Sequence, residues 1–134
     1  MRRLNRPQLR KKDSTMKKIK LFEDAIRNKC GNLKEAGING TMFWAYRNSK
    51  EAGNELIDFN EVIWDYDVEE IVKTCRENGV EQFTISSTFS GLIRTLAEFE
   101  KHDCKVGGLT QVNARYTDIF TGEREIIPAL IMNL

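Results

Sequence analysis

"QFTISSTFSGLIRTLAEFEKHDCKVGGLTQVNARY", residues 82–116, is the stretch on which the fold turns. It opens with a short β-favouring run, Gln82–Ile85, and passes through a hydroxyl-rich turn, Ser86-Ser87-Thr88-Phe89-Ser90-Gly91. A helical pattern comes next that would bury Phe89, Leu92, Ile93, Leu96 and Phe99. A second β-favouring region runs from Lys105 to Tyr116, broken by Gly107-Gly108 as at a bulge or a close backbone approach. Strand, helix and strand in this order predict a right-handed crossover between parallel strands. Thr121-Gly122 then signals a turn, and "REIIPALIM", residues 124–132, returns as the last strand of a C-terminal β-hairpin. Pro128 has no N–H to give to a ladder, which predicts an edge position for that strand.

Working toward the N-terminus, Asp67 is a suitable helix cap with Glu70 three residues on, and Val68, Ile71, Val72 and Cys75 form an apolar stripe that Asn78-Gly79 closes. Residues 41–47 and 56–64 read as two strands joined across the Asn48 to Asn54 loop, with Trp44 and Trp64 on neighbouring strands. Leu21, Phe22, Ala25 and Ile26 recur at helical spacing, and Gly31 sits where that helix would stop. The expectation is a single α+β domain over residues 16–134. It has a mixed β-sheet with about three helices packed on it, including one βαβ unit and the C-terminal hairpin.

The composition of the 134 residues, 40% apolar and 31% charged, is that of an ordinary soluble globular domain. The longest apolar run, residues 126–132, is far too short to cross a bilayer. The basic N-terminus lacks the apolar core of a secretory signal, and Cys30, Cys75 and Cys104 are odd in number and scattered, so a reducing cytoplasm is expected. A net charge of +1 conceals an asymmetry: residues 1–15 hold six Arg and Lys against Asp13, so this arm carries +5 and the remainder −4. The arm is expected to be flexible. It is either an upstream extension without a role or a weak, sequence-blind contact to nucleic acid through counterion release.

Little in the chain looks like catalysis. None of the serines in the Ser86–Gly91 turn has the G-x-S-x-G spacing of a nucleophile elbow, and the single histidine, His102, falls at the far end of the following helix. The turn also lacks the pattern of a P-loop. Its hydroxyls admit two readings: Ser87 or Thr88 as a helix cap, or Ser86, Ser87, Thr88 and Ser90 as an anion site at a helix N-terminus. His102 and Cys104 have no second pair of ligands, so no metal site and no cofactor are expected.

A second feature lies between Glu51 and Val72, where eight carboxylates stand with no Lys or Arg and with Phe59, Trp64 and Tyr66 among them. This reads as a solvated face or as a surface that docks a protein partner with a basic surface; a Mg²⁺ or Ca²⁺ site would need two or three of these acids to converge on folding, and no EF-hand spacing is present. On the docking reading the contacts are Asp58, Phe59, Glu61, Trp64, Asp65 and Tyr66. Nothing here requires a membrane, and the oligomeric state is not encoded.

"NLKEAGINGTMFWAYRNSKEAGNELIDFNEVIWD", "FTISSTFSGLIRTLAEFE" and "GLTQVNARYTD" together resemble a family of small uncharacterised Firmicutes proteins often carried on conjugative or other mobile elements. The resemblance begins at Met16. It implies a cytoplasmic accessory protein of mobile DNA and supplies no activity, cofactor or catalytic residue.

Overall fold

Asn39 begins the first correction to these expectations. Its side chain accepts a hydrogen bond from the Met42 N–H, and Gly53, at φ 79°, turns the chain out of the helix after thirteen helical residues. The intervening segment is therefore helix α2 (Gly40–Ala52), not a strand, and the expected hairpin over 41–64 does not form. Met42, Phe43, Ala45, Tyr46, Ser49 and Ala52 are its buried positions, a helical spacing that the aromatic content masks.

The structure, a computed structural model, describes residues 16–134. The basic arm over 1–15 lies outside the described residues. The element order is α1 (Lys20–Arg27), α2, β1 (Asp58–Phe59), α3 (Asp65–Glu77), β2 (Gln82–Ile85), α4 (Leu92–Lys101), β3 (Lys105–Thr117) and β4 (Arg124–Asn133). Four helices are described, one more than expected, because α2 replaces the strand. The α+β class and the mixed sheet stand.

The sheet order is β1-β2-β4-β3. β1 pairs with β2 in parallel, β2 with β4 antiparallel, and β4 with β3 antiparallel. β2 and β3 therefore run in the same direction with β4 inserted between them, so the crossover through α4 joins parallel strands as expected. β1, α3 and β2 make a second crossover: of the strand expected over 56–64 only Asp58–Phe59 forms, and it pairs with β2 instead of with residues 41–47.

β4 is an interior strand, not an edge. Its pairing with β2 stops at Leu130, opposite Ile85, so Pro128 lies where β3 is the only neighbour. The missing N–H is tolerated there for the reason that predicted an edge. The register shifts between Val106 and Gly108, with Gly108 at φ 136°, which is the bulge of the two readings that the paired glycines leave open.

One apolar cluster spans the domain. Phe83 meets Phe59 at 5.2 Å and Phe99 of α4 at 5.4 Å between ring centroids, while Phe22 of α1 packs edge-on against Phe43 and Tyr46 of α2. Cys75 and Cys104 are buried within it as free thiols, and burial pushes them up to about 12 and about 11. Among the described residues no helix is long and apolar enough to cross a membrane.

The polar backbone at both sheet edges is closed by side chains. Ser49 of α2 exchanges hydrogen bonds with the Asp58 N–H and carbonyl, at 2.7 and 3.1 Å. Asn54 does the same for Asn113 of β3, at 2.8 and 3.1 Å. These contacts leave fewer free ladder groups for edge-to-edge association.

Candidate functional site

The parallel strands β1 and β2 end side by side, and the segments leaving them converge. In open sheets with parallel strands this is the end at which ligands are generally met. β1 leads through residues 60–64 into α3, and β2 leads through the Ser86–Gly91 turn into α4.

At the strand ends lies a closed polar cluster. Asp58 is 1% exposed, and its carboxylate accepts hydrogen bonds from the Thr84 hydroxyl at 2.7 Å and the Ser86 hydroxyl at 2.6 Å. Burial raises the Asp58 pKa from its ordinary value, against the lowering effect of the two hydroxyls and of Arg115. Asn60 donates in turn to the Ser86 Oγ at 2.9 Å. Arg115, arriving from β3, grips Glu61 with both terminal nitrogens at 2.6 and 3.2 Å and donates to the Asp58 carbonyl at 2.7 Å. Every Asp58 group in this arrangement is already used. Ser86 has a carboxylate beside it but no imidazole, since His102 caps the opposite end of α4.

Outward from this cluster, the start of α3 is pinned by Asp67. Its carboxylate accepts from the Asn39 amide at 2.9 Å, the Thr41 hydroxyl at 3.1 Å and the Trp64 N–H at 3.1 Å. Trp64 holds the N-cap position but its indole has no acceptor, so only the Asp67 half of a capping box forms. Thr95 of α4 donates to the Ile63 carbonyl at 2.9 Å and ties the two helix starts together.

With the backbone held in this way, Trp64, Asp65 and Tyr66 are directed outward. Trp64 is 54% and Tyr66 79% exposed, their ring planes lie 3° from parallel, and their centroids are 6.4 Å apart. Together with Ser90, Gly91 and Arg94 they line a groove of about 440 Å³ between the starts of α3 and α4. The Arg94 guanidinium is 3.7 Å from the Asp65 carboxylate.

The two stretches singled out in the sequence thus meet in one groove, but not with all their residues. Asp58 and Phe59 are buried, Phe59 within the apolar core, so neither is available to a partner as surface. Glu61 is committed to Arg115. In the turn, Ser86 is bound to Asp58, and Ser87 is buried with its hydroxyl unpaired. Thr88 is exposed, and Ser90 is exposed and lines the groove. Neither Ser87 nor Thr88 caps α4; that position is held by Gly91, without a side-chain cap. Sequence reasoning misses Arg94, although it carries a signal. It lies in the first turn of α4, which holds no acid, where the helix dipole disfavours a cation.

Among the described residues no three His, Cys, Asp or Glu side chains gather into a metal-binding group. The family model described as Domain of unknown function (DUF7698) matches residues 41–134, and the chain belongs to that family. No curated protein and no solved structure matches the chain. The matched residues hold all four strands and both walls of the groove. α1 lies before them.

Proposed function

We propose that the protein is a non-enzymatic, cytoplasmic accessory protein that docks a basic segment of a protein partner in the groove between α3 and α4. The observation that carries this reading is the exposure of Trp64, Asp65 and Tyr66 on a single groove, while their neighbours Asp58, Phe59 and Glu61 are locked into the scaffold. Large aromatic side chains held beside a carboxylate are the usual anchors of such contacts. Glu69, one helical turn beyond Asp65, adds a second exposed carboxylate on the same face of α3. The resemblance to proteins of mobile elements supports a nucleic-acid-handling or defence protein as the partner.

A second reading has its own observation. Ser90, Gly91 and Arg94 line the same groove at the start of a helix, which favours a small anionic ligand. Capture from a host extract with the full chain as bait, beside a Trp64→Ala/Tyr66→Ala variant, tests the first reading. A basic protein should be recovered with the unaltered chain, weakened by salt, and lost with the variant. Identical capture by both baits refutes it.

A further inference from the structure

The groove already holds one guanidinium, that of Arg94, and the terms on which it does so are informative. The Arg94–Asp65 contact is long at 3.7 Å, and the two side chains are 84% and 51% exposed. A surface pair of this kind contributes little, about 0–1 kcal/mol. Arg94 is also placed in the first turn of α4, where the dipole opposes a cation. Nothing else among the described residues grips its side chain. Arg94 therefore rests against Asp65 without being fastened there.

Beside it, Trp64 and Tyr66 stack with their ring planes parallel, and both rings are exposed next to a carboxylate. A planar cation is the group that satisfies both at once: its face lies on the rings while its edge donates to the carboxylate. The same chain places a guanidinium on an indole elsewhere, where Arg47 sits 5.3 Å over the Trp44 ring.

We infer that the groove recognises an arginine side chain of a partner peptide, whose guanidinium lies on Trp64 and Tyr66 and takes Asp65 over from Arg94. This rests on the reading that the groove accepts a basic segment, and it names the side chain that is read. Lysine satisfies the charge but not the faces, because its ammonium is compact, strongly hydrated and without a plane to stack. The acids on the exposed face of α3, Asp65 and Glu69, favour a cation in general; the parallel rings select among cations.

Arg94 gives the inference a sign that an anion site cannot share. If the ligand is a guanidinium, Arg94 competes with it, and Arg94→Ala tightens binding. If the ligand is an anion, Arg94 is one of its contacts, and the same substitution weakens binding.

The test is a titration of the full chain, followed by the Trp64 indole N–H resonance with Trp44 as internal reference. The probes are acetylated, amidated Gly-Arg-Gly, its Gly-Lys-Gly counterpart, and inorganic phosphate. The arginine peptide should move the Trp64 signal saturably and bind roughly two- to fivefold more tightly than the lysine peptide. Tyr66→Ala should remove that preference, and Arg94→Ala should tighten the arginine peptide by about twofold. Equal binding of the two peptides overturns the arginine inference and leaves the basic-segment reading standing. A Trp64 signal that answers to phosphate and not to the peptides, with the response lost in Arg94→Ala, overturns both. So does a signal that answers to none of the probes.

Discussion

Replacing Asp58 separates two costs that the native structure sets against each other: the burial of a carboxylate and the orphaning of the hydroxyls that hold it. Asp58→Ala removes the acceptor of both the Thr84 and Ser86 hydroxyls. Thr84 is 1% exposed and has no other side-chain partner among the described residues, so its hydroxyl is left buried and unpaired, at a cost of about 1–3 kcal/mol. Ser86 retains the Asn60 amide and reaches solvent, so its loss is smaller. Relief of the buried charge offsets part of the total, leaving a net destabilisation of about 2 kcal/mol, or roughly 8 °C in Tm for a domain of this size. Asp58→Asn keeps the shape and can bond both hydroxyls, so at neutral pH it should lie within about 1 kcal/mol of the unaltered chain.

The pH dependence fixes the sign. The Asp58 pKa is raised in the folded state, so between about pH 4 and that raised value the folded chain binds more protons than the unfolded one. The contribution of Asp58 to stability therefore falls as pH rises through this window and levels off above it. Urea unfolding of the three proteins across pH 4 to 7 should show the unaltered chain losing ground to Asp58→Asn with rising pH. The reasoning is refuted by an Asp58→Ala variant within about 0.5 kcal/mol of the unaltered chain, or by a difference that grows in favour of the carboxylate.

The surrounding contacts give two further outcomes. Arg115→Met releases Glu61 and the Asp58 carbonyl together. Both partners of the ion pair keep some exposure, so the expected cost is about 1–3 kcal/mol, with faster amide exchange in the distal half of β3 and a further rise in the Asp58 pKa. An exchange rate there no different from that of the unaltered chain would show that Arg115 does not hold the hairpin in place. For the thiols, Cys75 and Cys104 are buried and pushed up to about 12 and about 11, whereas Cys30 is half-buried. A thiol reagent at pH 8 should modify Cys30 alone in the native protein and all three cysteines in denaturant; rapid native modification of Cys75 would contradict its packing.

The crossover through α4 is legible in the sequence because each piece of residues 82–116 carries its own local signal and the pieces lie next to one another in the chain. α2 is misread for a local reason as well. Phe43, Trp44 and Tyr46 favour strands individually, and only the spacing of the residues that become buried, with Asn39 before them and Gly53 after, identifies a helix. The division of the acidic stretch is not legible. Asp58 and Asp65 are both acids beside an aromatic residue, and what sends one inside and the other out lies far along the chain. Asp58 is claimed by Thr84, twenty-six residues on, and Glu61 by Arg115, fifty-four residues on. A two-residue strand gives no periodicity from which this pairing could be inferred.

That same division bears on how the groove works. The internal acids, Asp58, Glu61 and Asp67, fasten β1, the hairpin and the start of α3 to one another, and Thr95 joins α4 to the same floor. The residues left outward, Trp64, Asp65 and Tyr66, are consecutive on a backbone that these contacts already hold in place. A partner therefore meets side chains whose main-chain positions need no further ordering, which reduces the entropy lost on binding. Its specificity must then come from the few groups that remain free to choose a partner. Of these, Arg94 is the one whose present contact is the easiest to exchange.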